Sequence, residues 1–387
     1  RYIDFAGGIA VTGCGHSNPA ITAAVKEQLD RFSHTCAMVT PYDSMVRLAE
    51  RLTEITPGVG AKKVTFATTG AEAVENSIKI ARAATGRRGV IAFQGGFHGR
   101  TIYALGLTGK NHPYRTLFGP FPNEIYHVPF PIPYHGVTEE SSLAAIEAIS
   151  ASDIAALDVA AILVEPVLGE GGYYPAPSKF LQALRRVCDE HGIAFIVDEI
   201  QTGFVRTGKM FGIEYAGVEP DLMTLAKGLA GGFLLAAVVG KAEIMDAPHP
   251  GGLGGTYAAS PLGCIASLAV LDIIAENDLV RRAQQIGALF GRRLGEMQRE
   301  HPHCIGEIRA DRGAMIAMEL VKDNDPDRPN PELARTLVAA AARRGLLVLS
   351  CGIRGNVVRF MPALTITDEL ISEGLGILDA CLAEAEG

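Results

Sequence analysis

The chain has 387 residues, of which 48% are apolar, and it carries a formal net charge of −8 at pH 7. This length is sufficient for a large buried core and favours more than one domain. The negative charge excludes a broad basic face of the kind that binds nucleic acid or anionic lipid. We therefore expect small molecules as partners, with neither a nucleic-acid partner nor a membrane association.

The seven cysteines are scattered along the chain, and none of them forms a CxxC pair. Dispersed cysteines in odd number are typical of reduced thiols in a cytoplasmic protein. The sequence has no apolar run of about eighteen residues and does not open with a signal-peptide pattern. Because it begins with Arg1, we expect further residues to precede it.

Apolar runs and amphipathic segments alternate over the first two thirds of the chain. The runs predicted to be buried strands are 62–68, 89–94, 160–167, 194–200, 220–226 and 234–240. Between them, 71–84 places Val74, Ile78 and Ala81 on one helical face, and 178–192 is also amphipathic. This alternation predicts an α/β core with a mostly parallel sheet between helices.

The pattern changes after roughly residue 270, where long helices precede two or three strands and a closing helix. The predicted strands there are 313–321, 346–352 and 357–364. We interpret this part as a smaller α+β domain over 273–387, following a large domain over 20–272. The Pro- and Gly-rich stretches 113–133 and 249–255 are predicted to be loops over a site.

An aspartate, Asp198, ends one of the apolar runs, in AFIVDEIQTGFVRTG. Ligands of open α/β sheets bind outside the carboxyl ends of the strands, so Asp198 is expected to face a ligand. A buried acidic strand end needs a cationic or hydrogen-bonding partner. An isolated aspartate in such a place is more often a helix N-cap.

The segment KVTFATTGAEAVENSIKIARAA has a small-residue turn between a strand and a helix that begins near Gly70. The free backbone N–H groups at such a helix start can bind a phosphate, and Thr68 and Thr69 can add hydroxyl donors. Taken alone, the segment is more often an ordinary turn with acidic residues in the first helical turn.

The motif GGFHGRT, 95–101, follows another predicted strand. The ring of Phe97 can stack on a planar cofactor, and Arg100 can bind a carboxylate through two hydrogen bonds. Taken alone, Phe97 is more often a packing residue and His98 a turn residue.

Two other motifs indicate different chemistry. GFVRTGKM, 203–210, matches part of a phosphate-binding P-loop and would indicate an NTPase, but Met210 stands where a magnesium-binding Ser or Thr is required. The fragment HPHC, 301–304, lacks partners at zinc-ligand spacing, so no metal site is predicted. A binding protein that keeps the fold without the chemistry is a third interpretation.

Lys227 lies between an apolar run and a cluster of small residues in PDLMTLAKGLAGGF. Lysine is seldom buried without a partner or a function. A phosphate-binding turn, a stacking ring, a strand-end carboxylate and an amine at one end of a sheet are the parts of a pyridoxal phosphate site. The amine forms a Schiff base with the aldehyde, and the aspartate keeps the pyridine nitrogen protonated.

Several motifs in order resemble the class III (ω-amino acid) aminotransferases of the fold type I pyridoxal phosphate family. The resemblance extends from about Ile3 to the C-terminus. The matching motifs are FAGGIAV, TTGAEAVENSIKIARAAT, FHGRT, ALGLTGK, VEPVLGEGG, VDEIQTGFVRTG, LAKGLAGG, GGLGGTYA, LLVLSCG and NVVRFMPALTI. The sequence departs from many relatives at Leu234, where they have proline, and at Phe204 and Val205, where they have small residues.

The resemblance implies roles for individual residues. Lys227 would be the Schiff-base lysine and the general acid and base, and Asp198 would pair with the pyridinium nitrogen. Thr256 would reach the phosphate of a neighbouring subunit, which implies a homodimer or a dimer of dimers with shared active sites, in which the segment 1–19 packs with the small domain. The residues expected to bind the cofactor are Gly70, Ala71, Phe97, His98, Glu165, Asp198, Ile200, Gln201, Lys227 and Thr256.

For the substrates, the resemblance implies a small-molecule amino donor and a 2-oxo acid acceptor. Ile9 and Arg100 would hold the distal carboxylate of an ω-amino acid, and Arg359 the α-carboxylate of 2-oxoglutarate or glutamate. Glu170 would pair with Arg359 when the substrate has no α-carboxylate. This combination favours 4-aminobutyrate as donor; 5-aminovalerate, β-alanine and ornithine-type donors, and an amino-acid racemase or epimerase, stay open as alternatives.

Overall fold

The structure is a computed structural model and describes residues 1–386. Its strands are β1 (Ile3–Asp4), β2 (Lys62–Ala67), β3 (Gly89–Phe93), β4 (Ile125–Val128), β5 (Val159–Val164), β6 (Val167–Leu168), β7 (Tyr174–Pro175), β8 (Ala194–Asp198), β9 (Leu222–Leu225), β10 (Ala236–Lys241), β11 (Ile305–Arg309), β12 (Ile316–Lys322), β13 (Asp325–Pro329), β14 (Leu346–Leu347), β15 (Leu349–Cys351) and β16 (Val357–Phe360). Its helices are α1 (Gly7–Ala10), α2 (Pro19–Arg31), α3 (Asp43–Ile55), α4 (Gly70–Thr85), α5 (Ile102–Leu107), α6 (Glu139–Ser152), α7 (Gly169–Gly172), α8 (Ser178–His191), α9 (Ala242–Met245), α10 (Pro261–Glu276), α11 (Leu279–Glu300), α12 (Pro331–Arg343) and α13 (Asp368–Glu386).

A seven-stranded sheet with the order β2-β10-β9-β8-β5-β3-β4 forms the centre of the fold. Neighbouring strands are parallel except at β10, which is antiparallel to both β2 and β9. Every residue of β3, β5, β8 and β9 is buried. Strands covered on both faces by helices have continuous apolar sequences, and this explains the runs seen in the sequence. The prediction of a mostly parallel sheet between helices is confirmed.

Helix α4 shows how the sequence starts and stops an element next to the site. Thr69 caps its N-terminus, and the Glu72 carboxylate accepts from the Thr69 amide in return, which completes a capping box. Gly86 ends the helix in the left-handed conformation at φ 69°. Val74, Ile78 and Ala81 are buried, as the helical periodicity predicts.

The prediction that 113–133 is all loop is wrong, because this stretch contains β4. Strand β4 pairs in parallel with β3 at the edge of the central sheet, with Val90 opposite Ile125. Its four residues, IYHV, include three strand formers, but the run is short and lies within a Pro-rich stretch. Pairing with β3 extends the central sheet to this short run.

The C-terminal part contains a second sheet with the order β11-β12-β16-β15, in which β13 also pairs with β12. The sequence analysis did not identify β11 or β13, since both carry charged residues and lack a continuous apolar run. The segment predicted as one strand over 346–352 forms two short strands, β14 and β15.

The N-terminal segment joins this C-terminal part. Strand β1 pairs in parallel with β14, and Phe5, which is fully buried, contacts the rings of Phe290 and Phe360. Gly374 leaves room for the Phe5 ring, since a Cβ there would lie 2.4 Å from its Cζ. These contacts support the proposed packing of the segment 1–19 with the small domain. The division into a large domain 20–272 and a small domain 273–387 stays a prediction, and its boundary falls inside α10.

Candidate active site

The loops that follow β2, β3, β5, β8 and β9 meet at one edge of the central sheet and surround a cavity of about 330 Å³. The predicted site residues that line this cavity are Gly70, Ala71, Phe97, His98, Glu165, Glu170, Asp198, Ile200, Gln201 and Lys227. The other four are outside this lining: Arg359 pairs with Glu170, Arg100 lies over the Phe97 ring, Ile9 is two residues from Val11, and Thr256 is exposed. The convergence at the carboxyl ends of the strands is the arrangement expected for a ligand site of an open α/β sheet.

Asp198 ends β8 and is buried, with 3% of its surface exposed. Its Oδ1 accepts hydrogen bonds from the Ile200 amide at 3.1 Å and from the Thr224 hydroxyl at 2.9 Å. Its Oδ2 lies 2.8 Å from His98 Nδ1. These contacts fix the carboxylate at the cavity wall.

His98 is paired with Asp198 and is buried beside it. Burial lowers the pKa of His98, but the hydrogen bond and the charge of Asp198, together with Glu165, outweigh burial and leave the pKa above its ordinary value. The raised pKa favours the protonated ring of His98 next to the Asp198 carboxylate.

Lys227 follows β9 and adopts a left-handed backbone conformation at φ 43°. Residues other than glycine seldom adopt this conformation, and it is concentrated at functional sites. Burial lowers the pKa of the Lys227 amine, an effect that Glu170 opposes and Arg359 reinforces. A lysine with a lowered pKa holds more of its amine in the neutral, nucleophilic form.

The start of α4 forms the edge of the cavity that can hold a phosphate. The amides of Gly70 and Ala71 are the first in the helix and have no acceptor within it. The amides of Thr68 and Thr69 are instead taken by Glu72, both at 2.8 Å. A Cβ on Gly70 would lie 3.0 Å from Ile200 Cδ1, so the absence of a side chain lets the two segments approach closely.

Phe97 lines the cavity and contacts Tyr114 edge to face, with ring centroids 5.0 Å apart. Its backbone is held by Glu165, whose Oε1 accepts from the Phe97 amide at 2.8 Å. The other oxygen of Glu165 accepts from the Gly169 amide at 2.9 Å. Burial raises the pKa of Glu165 to about 7, even though His98 and these amides lower it. Glu165 thus ties the Phe97 turn to the segment that carries Glu170.

Gln201 lines the cavity and has a side-chain oxygen without a partner in the described part of the chain. Its Oε1 is buried and has no hydrogen-bond partner among residues 1–386. A Cβ on Gly169 would lie 2.3 Å from this oxygen, so glycine is needed there for the amide to reach the cavity. Buried polar atoms without partners are costly, and a bound group that pairs with the amide would remove this cost.

Glu170 and Arg359 form a buried ion pair beside the cavity. Arg359 Nη1 donates to Glu170 Oε1 at 2.5 Å, and the Tyr114 hydroxyl donates to Glu170 Oε2 at 2.8 Å. Burial raises the pKa of Glu170, but Arg359 and Tyr114 outweigh burial and hold the pKa below its ordinary value. Arg359 Nε is buried and has no partner among residues 1–386. The guanidinium therefore retains a donor for a further anionic group.

Arg100 and Ile9 lie nearer to solvent. Arg100 is exposed, and its guanidinium carbon is 4.8 Å from the centre of the Tyr114 ring and 5.8 Å from that of Phe97. Ile9 is 43% exposed, in a left-handed turn at φ 63°, two residues before Val11, which lines the cavity. Arg100 is therefore next to the wall of the cavity, and Ile9 is close to it along the chain.

Thr256 is exposed and precedes Tyr257, of which 68% is exposed. The structure does not bring Thr256 into the cavity lining of its own chain. An exposed position is compatible with a role in the site of a second subunit.

The turn 203–210, which matches part of a P-loop, is packed inside the protein. Arg206 is buried and donates to the carbonyls of Ala314 and Pro362 at 3.2 and 2.7 Å. Lys209 Nζ donates to the Glu214 carbonyl at 3.2 Å. Phe204 and Val205 are buried as well. The lysine of this motif is therefore used within the fold.

Tyr114 and Thr224, which contact predicted site residues, were not predicted from the sequence, and neither were Val11, Phe233 and Leu235 of the cavity lining. Thr224 lies inside β9. A threonine in a buried strand is common, so the local sequence does not indicate that Thr224 contacts the site. Tyr114 lies in the stretch 113–133, which was predicted to cover a site, and an aromatic residue in such a stretch was the available signal.

Within residues 1–386, no helix has both the length and the apolar character needed to cross a membrane.

Comparison with known proteins agrees with this geometry. The sequence model of the family described as aminotransferase class III matches residues 1–382. The chain is 49% identical to the 4-aminobutyrate aminotransferase of Escherichia coli (strain K12), over 100% of this chain and 90% of that protein. It is 50% identical to the 5-aminovalerate aminotransferase of Pseudomonas putida (strain KT2440), over 99% of this chain and 89% of that protein. Among solved structures, a Bacillus anthracis aminotransferase superimposes with a TM-score of 0.93 at 28% identity, over 99% of this chain and 89% of that one.

The residues around the cavity fit the cofactor that this family uses. The amine of Lys227 suits an aldehyde, the start of α4 suits a phosphate, and Gln201 lines the same cavity with an amide that can pair with a bound group. The glycines at 70 and 169 leave that space open. The chain belongs to the class III aminotransferases and is a pyridoxal phosphate-dependent enzyme of fold type I.

Proposed function

We propose that the protein transfers the amino group of 4-aminobutyrate to 2-oxoglutarate and releases succinic semialdehyde and glutamate. The observation that carries this proposal is the buried Glu170–Arg359 pair next to Lys227. The relative from Escherichia coli that shares 49% of the sequence is named for 4-aminobutyrate, which supports the same donor.

The pair explains how one site accepts two kinds of substrate. 4-Aminobutyrate has no α-carboxylate, and in its presence Arg359 would stay buried without an anion unless Glu170 neutralised it. Leaving one member of a buried ion pair unpaired costs about 3–5 kcal/mol. Glutamate and 2-oxoglutarate bring their own α-carboxylate, which replaces Glu170 on Arg359.

Arg100 would distinguish donors by the charge of their distal group, at the end of the substrate away from Lys227. Its guanidinium attracts the distal carboxylate of an ω-amino acid and repels the distal ammonium of an ornithine-type donor. Ile9 would add an apolar contact to the same substrate. The proposed substrate therefore lies between Arg100 and Lys227, with Arg359 engaged only when an α-carboxylate is present.

When bound, pyridoxal phosphate supplies an aldehyde that carries the amino group and a ring that accepts electrons from the C–H bond that breaks. Lys227 Nζ takes the proton from the carbon that bears the donor's amino group, and its lowered pKa favours the neutral amine that this step requires. Asp198, fixed by His98 and Thr224, would pair with the ring nitrogen of the bound cofactor and keep it protonated.

The remaining residues hold the cofactor. Gly70 and Ala71 would donate backbone amides to the phosphate, and Phe97 would stack on the ring. Gln201 would hydrogen-bond the ring oxygen, and His98, Glu165 and Ile200 would complete the wall. Thr256 would reach the phosphate of the neighbouring subunit, so we propose a homodimer, or a dimer of dimers, with shared sites.

We also propose the cytoplasm as the location. All seven cysteines are free thiols in the structure, and six of them are buried. Free thiols are favoured in a reducing compartment.

5-Aminovalerate is the second candidate donor, because the relative from Pseudomonas putida at 50% identity is named for it. It is one methylene longer than 4-aminobutyrate. An apolar pocket separates such a pair by only about 1–3 kcal/mol, so both fit the same arrangement of arginines.

The experiment is a visible spectrum of the purified holoenzyme after addition of 4-aminobutyrate and then of 2-oxoglutarate. We expect the absorbance band of the bound cofactor to disappear with the first and to return with the second. A band that ignores 4-aminobutyrate but responds to 5-aminovalerate would replace the donor. A band that responds only to glutamate would contradict an ω-amino acid donor altogether.

A further inference from the structure

Tyr114 contacts both of the charged groups to which we assign substrate recognition. Its hydroxyl donates to Glu170 at 2.8 Å, and the guanidinium of Arg100 lies over its ring at 4.8 Å. Glu170 in turn pairs with Arg359. One side chain thus joins Arg100, which faces the distal carboxylate, to the Glu170–Arg359 pair, which faces the α-carboxylate.

The surroundings hold Tyr114 in this position. The Phe97 ring meets it edge to face at 5.0 Å, and Lys110 Nζ lies 5.6 Å from its ring centre. Lys110 also donates to the Gly352 carbonyl at 2.8 Å, and the Gly352 amide donates to the Glu170 carbonyl at 3.0 Å. The tyrosine and the backbone of Glu170 are therefore tied to the same loop.

We propose that Tyr114 is a specificity-determining positioning residue, whose hydroxyl holds Glu170 on Arg359 and so favours amino donors that lack an α-carboxylate. This inference rests on the proposed function of the Glu170–Arg359 pair. Glu170 has one oxygen on Arg359 and the other on Tyr114, so the hydroxyl stabilises the paired state directly. When an α-carboxylate displaces Glu170 from Arg359, that geometry is lost.

The substitution Tyr114→Phe isolates the hydroxyl. It keeps the ring, and with it the contacts to Phe97 and Arg100. A hydrogen bond to a charged group contributes an amount equivalent to about 10-fold or more in an equilibrium constant. We expect kcat/KM for 4-aminobutyrate to fall about 10-fold, and kcat/KM for glutamate to stay the same or rise.

The test measures each half-reaction separately in the holoenzyme, by the cofactor absorbance, with 4-aminobutyrate and with glutamate. Tyr126→Phe is the matched control, since its hydroxyl also donates to a glutamate, Glu124, at 3.0 Å, but it lies on β4 and outside the cavity lining. The control should leave the ratio of the two kcat/KM values unchanged.

A double variant provides the second measurement. In a Glu170→Ala background the hydroxyl has no carboxylate to hold, so we expect Tyr114→Phe to leave the ratio unchanged there. Equal losses for both donors in the single variant, or the same shift of the ratio in the Glu170→Ala background, would overturn the inference.

Failure of the inference and failure of the proposed function can be distinguished. If the wild-type enzyme uses 5-aminovalerate in place of 4-aminobutyrate, the ratio of kcat/KM for 5-aminovalerate to kcat/KM for glutamate is measured instead. A fall of this ratio in Tyr114→Phe supports the inference, and an unchanged ratio contradicts it. If the wild-type enzyme reacts with glutamate and with neither ω-amino acid, the proposed function is wrong and the inference is wrong with it. A wild-type enzyme that uses an ω-amino acid, with an unchanged ratio in Tyr114→Phe, contradicts the inference alone.

Discussion

Asp198 and Glu170 are both buried carboxylates on the wall of one cavity, but their partners differ. Asp198 accepts hydrogen bonds from Ile200 and Thr224 and pairs with His98, and no step of the proposed reaction requires these partners to leave. The Glu170 carboxylate is held by Arg359 and Tyr114. In the proposed reaction, Arg359 must also bind the α-carboxylate of the substrate, so this partner of Glu170 is shared with the substrate.

The difference separates two tasks. A carboxylate whose partners all belong to the fold is fixed, and it can hold one charge for every substrate. A carboxylate whose main partner is shared with the substrate can be displaced, and it can distinguish substrates. Substitutions on the Asp198 side should therefore reduce activity with all donors, whereas substitutions on the Glu170 side should change the preference among donors.

The largest effect is expected for Lys227→Ala. Loss of the amine removes the group that moves the proton, so turnover should fall by at least about 10⁴-fold for every donor. Steady-state assays with 4-aminobutyrate and glutamate measure this loss, and the cofactor should no longer be covalently attached. Lys209→Ala is the control, because its amine is held by the Glu214 carbonyl. Wild-type turnover in the Lys227 variant would disprove its role.

Asp198→Asn should have the next largest effect. The side chain keeps its shape but loses the charge that faces the cofactor ring, so both half-reactions should slow by roughly 10²–10⁴-fold. The ratio of the rates for 4-aminobutyrate and glutamate should not change. Single-turnover absorbance measurements test both points, and a loss confined to one donor would contradict the fixed role of Asp198.

Glu170→Gln should shift preference instead. A neutral amide cannot neutralise Arg359, so kcat/KM for 4-aminobutyrate should fall by about 10- to 100-fold while the value for glutamate is retained. The kinetics of the separate half-reactions report this shift. Glu307→Gln is the control, since Glu307 also pairs with an arginine, Arg309, but outside the cavity lining. A uniform loss for both donors would mean that Glu170 does not discriminate between them.

The smallest effect concerns Glu199, a fully buried carboxyl next to Asp198 that accepts from Thr202 and from the amides of Gly212 and Ile213. Burial raises its pKa to about 7, although these hydrogen bonds lower it. The folded state therefore binds more protons than the unfolded state between about pH 4.5 and 7, and stability falls as pH rises through this window, by up to about 3 kcal/mol.

Glu199→Gln should remove this dependence on pH and add a constant offset, because the amide cannot accept from all of these donors. Urea unfolding at pH 5 and pH 8 gives the free energy of unfolding of each protein. The difference between the two pH values should be smaller in the variant than in the wild type. An unchanged difference would show that Glu199 does not titrate in this window.

The sequence was informative where an element ends at the site. Lys227 and Gly70 follow an apolar run and Asp198 ends one, and parallel strands bring their carboxyl ends to one edge, so local patterns were sufficient to predict their convergence. Strand β4 was missed because its run is short and lies within a Pro-rich stretch, and no local pattern reports its pairing with β3.

The contacts of Tyr114 with Glu170 and Arg100 could not be predicted from the sequence either. They depend on the distance between a Pro-rich stretch and the segment 169–172, which are distant in sequence. The resemblance to a family supplied the pairing of Glu170 with Arg359, since a buried Glu and Arg separated by 189 positions give no signal in composition or periodicity. Convergence from the ends of strands is predictable, whereas contacts between loops require the structure.

The most direct test of the account is a crystal structure of the holoenzyme with 2-oxoglutarate bound. We expect Glu170 Oε1 to move from 2.5 Å to more than about 4 Å from Arg359 Nη1 as the α-carboxylate takes its place. The 2.8 Å contact between His98 Nδ1 and Asp198 Oδ2 should stay unchanged. An intact Glu170–Arg359 pair, with the α-carboxylate bound elsewhere, would contradict the division between a fixed and a displaceable carboxylate.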